Sequence, residues 1–511
     1  MYRSAAKKPP FGTSMKIIRA RYGVDAAVDL RSSRSVVAIL RTVGTSRRDG
    51  DTFLVHLADV TIRFPIRPAA VLAATALAVA SANASLATPR SSVPATSPTY
   101  QALRQDVIIN ADIWAAKPEM MAAGLGFTNI IGVPNLSTSN VPLSKTLAVL
   151  ADGTWNHVHC TSGQTPPLSS YTAAVTPSSV RTTYGENVYY SDGLPVEFSW
   201  PLLPSTLDAD DFKVTLSNGT SVTPQVTSIW PNYLYNERSV AVLFGHFGNR
   251  IPPNQPGAIY PTSVQVVRGS STLELVGPGQ RIVSAVGMSV KSPGSPYTEP
   301  GVPPADRGGP TLVAAKLSKM SAVGNTAPKI FPQNLPNDGI SLYGKQAKFR
   351  LRMYTSGGMT PNGVTPLLPT EYGTYFRVIA VTASGKKVAL TKAGKTYYID
   401  GQPLRVVGLA DLGVQQATYD GCYTELRNNY IDIILDGSIA AARRITTVQI
   451  PSAGRYKPLY NPGGPGNDPA PGVLYSAPSP PISEPVIDAL NNPMTVTYVR
   501  CPHHSVSLCG Q

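Results

Sequence analysis

The stretch Lys348-Phe349-Arg350-Leu351-Arg352-Met353-Tyr354 alternates basic and apolar side chains up to Met353. Successive side chains of a β-strand point to opposite faces, so a period of two is typical of a strand rather than a helix. The pattern therefore predicts a strand with one apolar face, built from Phe349, Leu351 and Met353.

Other stretches repeat this period along the chain. VEFSW at 196–200 and FKVTL at 212–216 alternate in the same way, and the Asn218-Gly219 pair after the second favours a tight hairpin turn. Further β-rich runs occur at 375–381, 430–435, 445–450 and 495–499. Antiparallel strands joined by short turns favour β-sandwiches over a parallel sheet.

Composition supports the same class. The 48 Pro and 43 Gly residues favour turns over long helices, while 42% hydrophobic residues are too many for a disordered chain. We expect a mainly β protein with two antiparallel β-sandwich domains, preceded by a small mixed region and a signal peptide.

Shifts in composition divide the 511 residues into segments. In chain order we expect a leader at 1–59, a signal peptide at 60–84, a Ser/Thr/Pro linker at 85–100, a mixed region at 101–186, a first sandwich at 187–291, a Pro/Gly linker at 292–310 and a second β-rich domain at 311–511 with a Gly/Pro loop at 460–485. The leader is either an over-extended start whose true position is Val60 or a transit-type export sequence.

The segment from Val60 has the layout of a secretory signal. Arg63 and Arg67 form a basic region, an apolar run covers 69–80, and Ala82-Asn83-Ala84 is a small-residue cleavage site. The apolar run is shorter than the roughly 20 residues that a spanning helix needs. We expect a secreted or periplasmic protein with no integral membrane segment after cleavage.

The cysteine count fits an oxidising compartment. Cys160, Cys422, Cys501 and Cys509 can pair in three ways, and we expect a local Cys501–Cys509 bridge and a long-range Cys160–Cys422 bridge.

Charge argues against nucleic acid as a partner. Residues 1–84 hold 13 basic and 5 acidic residues, which is +8 of the total +14, and the remaining +6 is scattered along the chain. We expect no nucleic-acid binding.

One region resembles a known family. The stretch PSTLDADDFKVTL at 204–216, followed by a hairpin, Val222-Thr223-Pro224 and Asn236-Glu237-Arg238, is similar to the immunoglobulin-like modules of bacterial surface and secreted proteins. The likeness covers residues 187–291. It implies a scaffold for adhesion, spacing or ligand binding, and it carries over no catalytic residues.

Two groups of residues are candidate metal ligands. His157 and His159 would share one face of a strand, and Asp208, Asp210 and Asp211 could offer oxygens to calcium. The alternative is that the histidines face solvent and the aspartates stabilise a turn. Calcium is the one cofactor with any support.

A second acidic group is a candidate for catalysis. It consists of Asp420, Glu425, Asp432 and Asp436, which flank or lie within a predicted strand. No nucleophile elbow or phosphate-binding glycine loop occurs in the chain, so the enzyme class has little support.

Aromatic residues are the candidates for ligand binding. The chain holds 24 Tyr against 11 Phe, and amphipathic rings suit both exposed sandwich edges and carbohydrate-binding faces. One group that lies close in sequence is Tyr189, Tyr190, Trp230, Tyr233 and Tyr235. Core packing is the alternative role for these rings.

These observations favour an exported, non-catalytic binding or structural protein that contacts glycans or the cell envelope. The alternative is a secreted polysaccharide hydrolase or lyase with its site between the two sandwiches. A requirement for a bound ion would favour the enzyme, and affinity for a polymer without turnover would favour the binding protein.

Overall fold

The computed structural model describes residues 97–124, 126–161, 163–253, 255–292, 303–320, 339–413, 415–468 and 477–500, together with the backbone of strands between residues 17 and 65. The chain forms two compact units, Met1–Val93 and Pro94–Gln511. Residues 66–84 of the predicted signal peptide, and the predicted bridge between Cys501 and Cys509, lie outside the described residues.

The first unit holds an antiparallel sheet. Its strands are β1 (Ile17–Arg19), β2 (Val24–Asp29), β3 (Ser35–Arg48), β4 (Asp51–His56) and β5 (Val60–Pro65). Strand β3 is central and pairs with β2, β4 and β5. Composition assigns this region to a leader and the start of a signal peptide, so the sequence pattern did not indicate these strands.

Strands account for 35% of the structure and helices for 16%, which confirms the predicted mainly β class. The strands of the second unit are β6 (Val107–Asp112), β7 (Met120–Ala123), β8 (Phe127–Ile131), β9 (Ser191–Phe198), β10 (Phe212–Leu216), β11 (Ser221–Val222), β12 (Val226–Ser228), β13 (Val240–Gly245), β14 (Pro261–Val266), β15 (Glu274–Val276), β16 (Ile282–Ser284), β17 (Ser289–Lys291), β18 (Leu312–Lys319), β19 (Phe349–Thr355), β20 (Arg377–Val381), β21 (Lys387–Leu390), β22 (Thr396–Ile399), β23 (Gln402–Ala410), β24 (Tyr430–Gly437), β25 (Ile445–Ile450), β26 (Ile482–Asp488) and β27 (Thr495–Val499).

The helices of this unit are short. They are α1 (Pro98–Leu103), α2 (Val141–Leu150), α3 (Leu168–Tyr171), α4 (Pro177–Tyr184), α5 (Gly339–Tyr343), α6 (Tyr372–Tyr375) and α7 (Ile439–Ala442), with 3-10 turns at Thr138–Asn140, Pro204–Thr206, Ala209–Asp211, Pro278–Gln280, Pro304–Asp306 and Gly344–Gln346. Among the residues that the structure describes, no helix combines the length and the apolar character that crossing a membrane requires.

Two sheets organise the chain between β7 and β17. In one, β9 pairs with β13 along one edge and with β7 and then β8 along the other, and β12 follows β13. The other has the order β11-β10-β14-β17. Side chains from both sheets meet in one core that includes Val196, Phe198, Phe212 and Val264. Strands β7 and β8 fall in the predicted mixed region, so this sheet crosses the expected boundary at residue 187.

The remaining large sheet has nine strands in the order β21-β20-β25-β26-β18-β19-β24-β23-β22. Its edge strands β21 and β22 are consecutive in the chain and are joined by residues 391–395, so the sheet curls until its two edges approach each other. We call it the curled sheet. The pair β18–β26 is parallel and the other neighbouring pairs are antiparallel, so the sheet departs from the expected antiparallel pattern at that point.

The apolar face predicted for β19 lies inside the curled sheet. Phe349, Leu351 and Met353 belong to one buried core, which confirms the assignment made from their alternation. The opposite, basic face of β19 is also buried, because β6 and residues near Glu237 pack over it. We call β6 and the residues near Glu237 the cover. Strand β6 of the cover pairs in turn with β27.

Candidate ligand-binding groove

A row of charged side chains runs along the outer face of the curled sheet. Lys348, Arg350 and Arg352 lie two residues apart, and Asp432 of β24 pairs directly with Arg352. Farther along β24, Asp436 pairs with Arg405 of β23. Opposite residues in an antiparallel pair share a face. We call the set of Lys348, Arg350, Arg352, Arg405, Asp432 and Asp436 the charged stripe.

One end of the charged stripe is fully covered. Asp112 of β6 contacts Lys316 of β18 at 2.5 Å, Arg350 at 3.2 Å and Arg352 at 3.1 Å. Arg352 also binds Asp432 at 2.8 Å. We call this buried group the ionic layer. Its members are Asp112, Glu237, Lys316, Arg350, Arg352, Asp411 and Asp432, of which Glu237 lies 3.3 Å from Arg352 and Asp411 bonds to the same guanidinium.

The ionic layer holds three cations, Lys316, Arg350 and Arg352, and four carboxyl groups. Burial and the neighbouring Asp411 raise the pKa of Glu237 well above its usual range, and burial also raises the pKa of Asp411. Because these groups are buried and pair with one another, the ionic layer joins β6 and the residues near Glu237 to the curled sheet rather than forming a binding site.

The pKa values of Asp112 and Lys316 are both lowered in the ionic layer, for different reasons. Burial disfavours the Asp112 carboxylate, but Lys316, Arg350 and Arg352 outweigh burial and lower its pKa below the usual range. Burial lowers the pKa of Lys316 to about 8, because the attraction of Asp112 does not fully offset desolvation and the two arginines.

Helix α5 covers the middle of the same face. Ile340 and Tyr343 pack against Ile434 and Val407, and the Tyr343 hydroxyl donates a hydrogen bond to the Leu409 carbonyl at 2.6 Å. Gly408 makes this approach possible: a Cβ there would lie 2.2 Å from the Tyr343 hydroxyl oxygen.

The other end of the charged stripe is open and lines a surface groove of about 450 Å³. Lys348 contacts Asp436 at 2.8 Å, and Arg405 contacts the other oxygen of Asp436 at 2.7 Å. The side chains of Lys348 and Arg405 are 52% and 30% exposed, so both are accessible from solvent. Burial opposes ionisation of Asp436, but the hydrogen bonds from the two cations outweigh it and lower the pKa of Asp436.

Neutral polar groups complete the groove. Thr396, Gln402 and Ser438 supply hydroxyl and amide groups to its lining. Tyr398 lies two residues after Thr396 on β22, so its ring is on the same face as the groove, and it is 68% exposed. An exposed ring beside a cluster of hydrogen-bonding groups is an arrangement that can hold a sugar.

The structure separates the aromatic residues proposed as ligand contacts. Tyr189 and Tyr190 are exposed, whereas Tyr233 and Tyr235 are buried. Trp230 is half-buried and stacks on Tyr233, with 4.6 Å between ring centroids. The five rings therefore do not form one exposed platform, and the core-packing role fits Tyr233 and Tyr235.

The two histidines proposed as metal ligands are both exposed. His157 lies 3.6 Å from Asp468, which also binds Lys145, and His159 faces solvent beside Cys160. Within the part of the chain that the structure describes, no three His, Cys, Asp or Glu side chains converge in a way that could hold a metal ion.

The three aspartates proposed for calcium stabilise local structure. Asp211 accepts a hydrogen bond from the Asp208 backbone N–H at 2.8 Å, while Asp208 and Asp210 accept hydrogen bonds from the Ser271 and Ser270 hydroxyls. These contacts match the turn-stabilising alternative, and they do not support the calcium hypothesis.

The second acidic group is dispersed. Asp432 is in the ionic layer and Asp436 is in the groove, whereas Asp420 accepts a hydrogen bond from Thr161 near the disulfide. Glu425 accepts a hydrogen bond from the Leu367 backbone N–H, and burial raises its pKa to about 8. No catalytic carboxylate pair forms among these four residues.

The long-range disulfide is present. Cys160 and Cys422 are bonded, and they lie 262 positions apart in the chain. This bridge ties a loop that follows α2 to a loop between β23 and β24.

The sequence analysis missed the groove residues although a local signal was present. Lys348 belongs to the quoted strand pattern, whereas Tyr398 of β22 and Arg405 of β23 lie on either side of the two-residue Asp400-Gly401 turn. An Asp-Gly pair is a strong hairpin signal, and the exposed Thr396 and Tyr398 alternate with Tyr397 and Ile399 before it.

The chain matches no family model, no curated protein and no solved structure. The fold and the groove therefore define it only as a mainly β protein with a polar, aromatic-flanked surface site.

Proposed function

We propose that this protein is an exported, non-catalytic binding protein that holds a glycan of the cell envelope or its surroundings in the groove. The observation that carries the proposal is the combination of Tyr398 with the groove lined by Lys348, Arg405 and Asp436. Sugar recognition in proteins combines an aromatic face with fixed hydrogen-bonding groups, and this groove offers both.

Strand pairing preorganises the groove. Arg405 lies opposite Asp436, and the Lys348 backbone N–H donates to the Leu435 carbonyl at 3.1 Å. Each polar group is thus anchored to regular sheet rather than to a long loop. A rigid site loses little conformational entropy on binding, which favours a binding role.

Export is supported by two features. The segment 60–84 has the layout of a secretory signal, and the Cys160–Cys422 disulfide suits an oxidising compartment. A two-sandwich architecture, with an immunoglobulin-like module at 187–291, remains part of this proposal as the scaffold that presents the groove.

The catalytic alternative requires a site between the two β regions. Aromatic rings pack at that place: Trp114 stacks on Tyr354 with 4.7 Å between centroids, and the Tyr354 hydroxyl donates to the Ser239 carbonyl at 2.8 Å. Because no observation favours catalysis at this contact, we retain the binding class alone.

The test is retention of the purified protein on a panel of immobilised cell-wall and extracellular polysaccharides. We expect binding without release of soluble sugar, and we expect Tyr398→Ala to weaken it while the matched exposed-ring control Tyr189→Ala leaves it unchanged. Failure to bind any polysaccharide would contradict the function. Loss of binding with Tyr189→Ala but not with Tyr398→Ala would place the site at the exposed Tyr189 and Tyr190 instead of the groove.

A further inference from the structure

The groove differs from the ionic layer in its charge balance. In the ionic layer three cations meet four buried carboxyl groups. In the groove two cations, Lys348 and Arg405, share the single carboxylate of Asp436, and the other lining side chains are uncharged. The open end of the charged stripe therefore carries a net charge of +1.

Both cations keep donor capacity beyond Asp436. An ammonium group has three N–H donors and a guanidinium has five. Within the described residues, Lys348 Nζ and the Arg405 guanidinium each contact one carboxylate oxygen of Asp436, which uses one donor of each. The remaining N–H groups belong to partly exposed side chains that line the groove.

Asp436 also fixes the spacing of the two cations. It binds Lys348 through one carboxylate oxygen and Arg405 through the other, so the ammonium and the guanidinium lie on either side of one carboxyl group. Two cations held in this way can accept a second anionic group with little further ordering, and charge-assisted hydrogen bonds are stronger than neutral ones.

We propose that the groove selects acidic glycans, with a sugar carboxylate bound between Lys348 and Arg405 and a sugar ring packed against Tyr398. This inference rests on the proposed function and narrows its ligand to glycans that contain uronic acids. The carboxylate supplies the negative charge that the groove lacks, and Thr396, Gln402 and Ser438 bond to the hydroxyls of the same sugar or its neighbour.

The test measures affinity for matched acidic and neutral ligands by calorimetry. The probes are oligogalacturonate, oligomannuronate and hyaluronan oligosaccharides, each beside the same oligosaccharide with methyl-esterified carboxylates, together with uncharged cello- and xylo-oligosaccharides. We expect at least one acid to bind at least tenfold more tightly than its ester. Raising the salt concentration should weaken that binding, because the charged groups are partly exposed.

Variants locate the effect. We expect Lys348→Met and Arg405→Met each to reduce affinity for the acidic oligosaccharide by roughly tenfold to a hundredfold, as loss of a charge-assisted hydrogen bond implies. The control Lys386→Met removes an exposed lysine in the turn between β20 and β21, and it should leave affinity unchanged. Thermal unfolding of each variant verifies that the fold is retained.

The outcomes separate this inference from the proposed function. Equal affinity for acid and ester, or binding of neutral oligosaccharides alone, would overturn acidic selection and leave glycan binding intact. An acidic preference that survives both Lys348→Met and Arg405→Met would also overturn it, because the selecting charges would lie elsewhere. Absence of binding to every oligosaccharide would contradict the proposed function itself.

Discussion

Arg352 and Arg405 lie on the same outer face of the curled sheet, yet their surroundings are opposite. Arg352 is fully buried and contacts Asp112, Asp432 and the carboxyl groups of two further residues of the ionic layer. Arg405 is 30% exposed and contacts Asp436 alone among carboxylates of the described residues. An arginine therefore stabilises the fold where this face is covered, and it remains available to a ligand where the face is open.

The difference follows from solvation. Removing one partner from a buried ionic network leaves uncompensated charge in a medium that solvates it poorly, which costs about 3–5 kcal/mol. A partly exposed pair is screened by water and contributes about 0–1 kcal/mol. The two ends of one row of charges should consequently respond differently to the same substitution.

The largest expected effect is at Arg352. We predict that Arg352→Met lowers the free energy of unfolding by at least about 3–5 kcal/mol, because several buried carboxyl groups lose their shared cation. Urea unfolding followed by tryptophan fluorescence measures it, with Arg405→Met as the matched control at about 1 kcal/mol or less. Similar losses for the two variants would show that burial does not distinguish the ends of the charged stripe.

The next effect concerns the disulfide that ties the loop after α2 to the loop between β23 and β24. Replacing Cys160 and Cys422 together by Ser should lower the free energy of unfolding by about 2–5 kcal/mol, since the bridge closes a long loop and restricts the unfolded chain. Reduction of the wild-type protein should lower stability by at least as much, because it also opens the expected Cys501–Cys509 bridge. Unchanged stability would contradict the expectation that this bridge stabilises the fold by restricting the unfolded chain.

A smaller effect depends on pH. The pKa of Lys316 is about 8 in the folded protein, below its ordinary value of 10.5. Between these values the unfolded chain binds a proton that the folded protein does not, so stability should rise with pH by up to about 1.4 kcal/mol per unit from this group. The useful window is pH 8 to about 9.5, below the range in which tyrosines of the unfolded chain ionise.

Lys316→Met supplies the comparison for this pH dependence. The variant should lack the part of the slope that Lys316 contributes, while its other groups titrate as in the wild type. Denaturant unfolding at several pH values measures both slopes. If the free energy of unfolding depends on pH in the same way in both proteins, Lys316 does not titrate between pH 8 and about 9.5 in the folded protein.

The smallest effect is expected at the open end. Asp436→Asn should change the free energy of unfolding by about 1 kcal/mol or less, because solvent reaches Lys348 and Arg405 when their partner is lost. Asp432→Asn is the matched change in the ionic layer and should cost several kcal/mol. Thermal and urea unfolding of the two variants provide the measurement.

Local periodicity predicted part of this fold. The alternation from Phe349 to Met353 identified β19 and its apolar face, because that face packs against a core that any β-sheet must bury. The pairing of Cys160 with Cys422 was likewise expected from the short Cys501–Cys509 spacing. Both predictions rest on patterns that span only a few residues: the alternation within one strand, and the short spacing of Cys501 and Cys509.

The ionic layer could not be predicted in this way. A basic face at Arg350 and Arg352 normally indicates solvent, and only the distant Asp112 and Glu237 make its burial tolerable. The groove has the same difficulty, since Lys348, Arg405 and Asp436 come from three segments that meet only through strand order. Tyr233 and Tyr235 show the converse case: their closeness in sequence to Tyr189 and Tyr190 implied a shared surface, but the fold buries them.

The most direct test is hydrogen–deuterium exchange of the wild-type protein with and without a saturating acidic oligosaccharide identified by the calorimetry. We predict slower exchange in peptides covering residues 396–405 and 436–438, which line the groove, and unchanged exchange at residues 350–352 and 430–432 in the ionic layer. Protection confined to the turn that carries Tyr189 and Tyr190 would contradict the account, because the open end of the charged stripe would then take no part in binding.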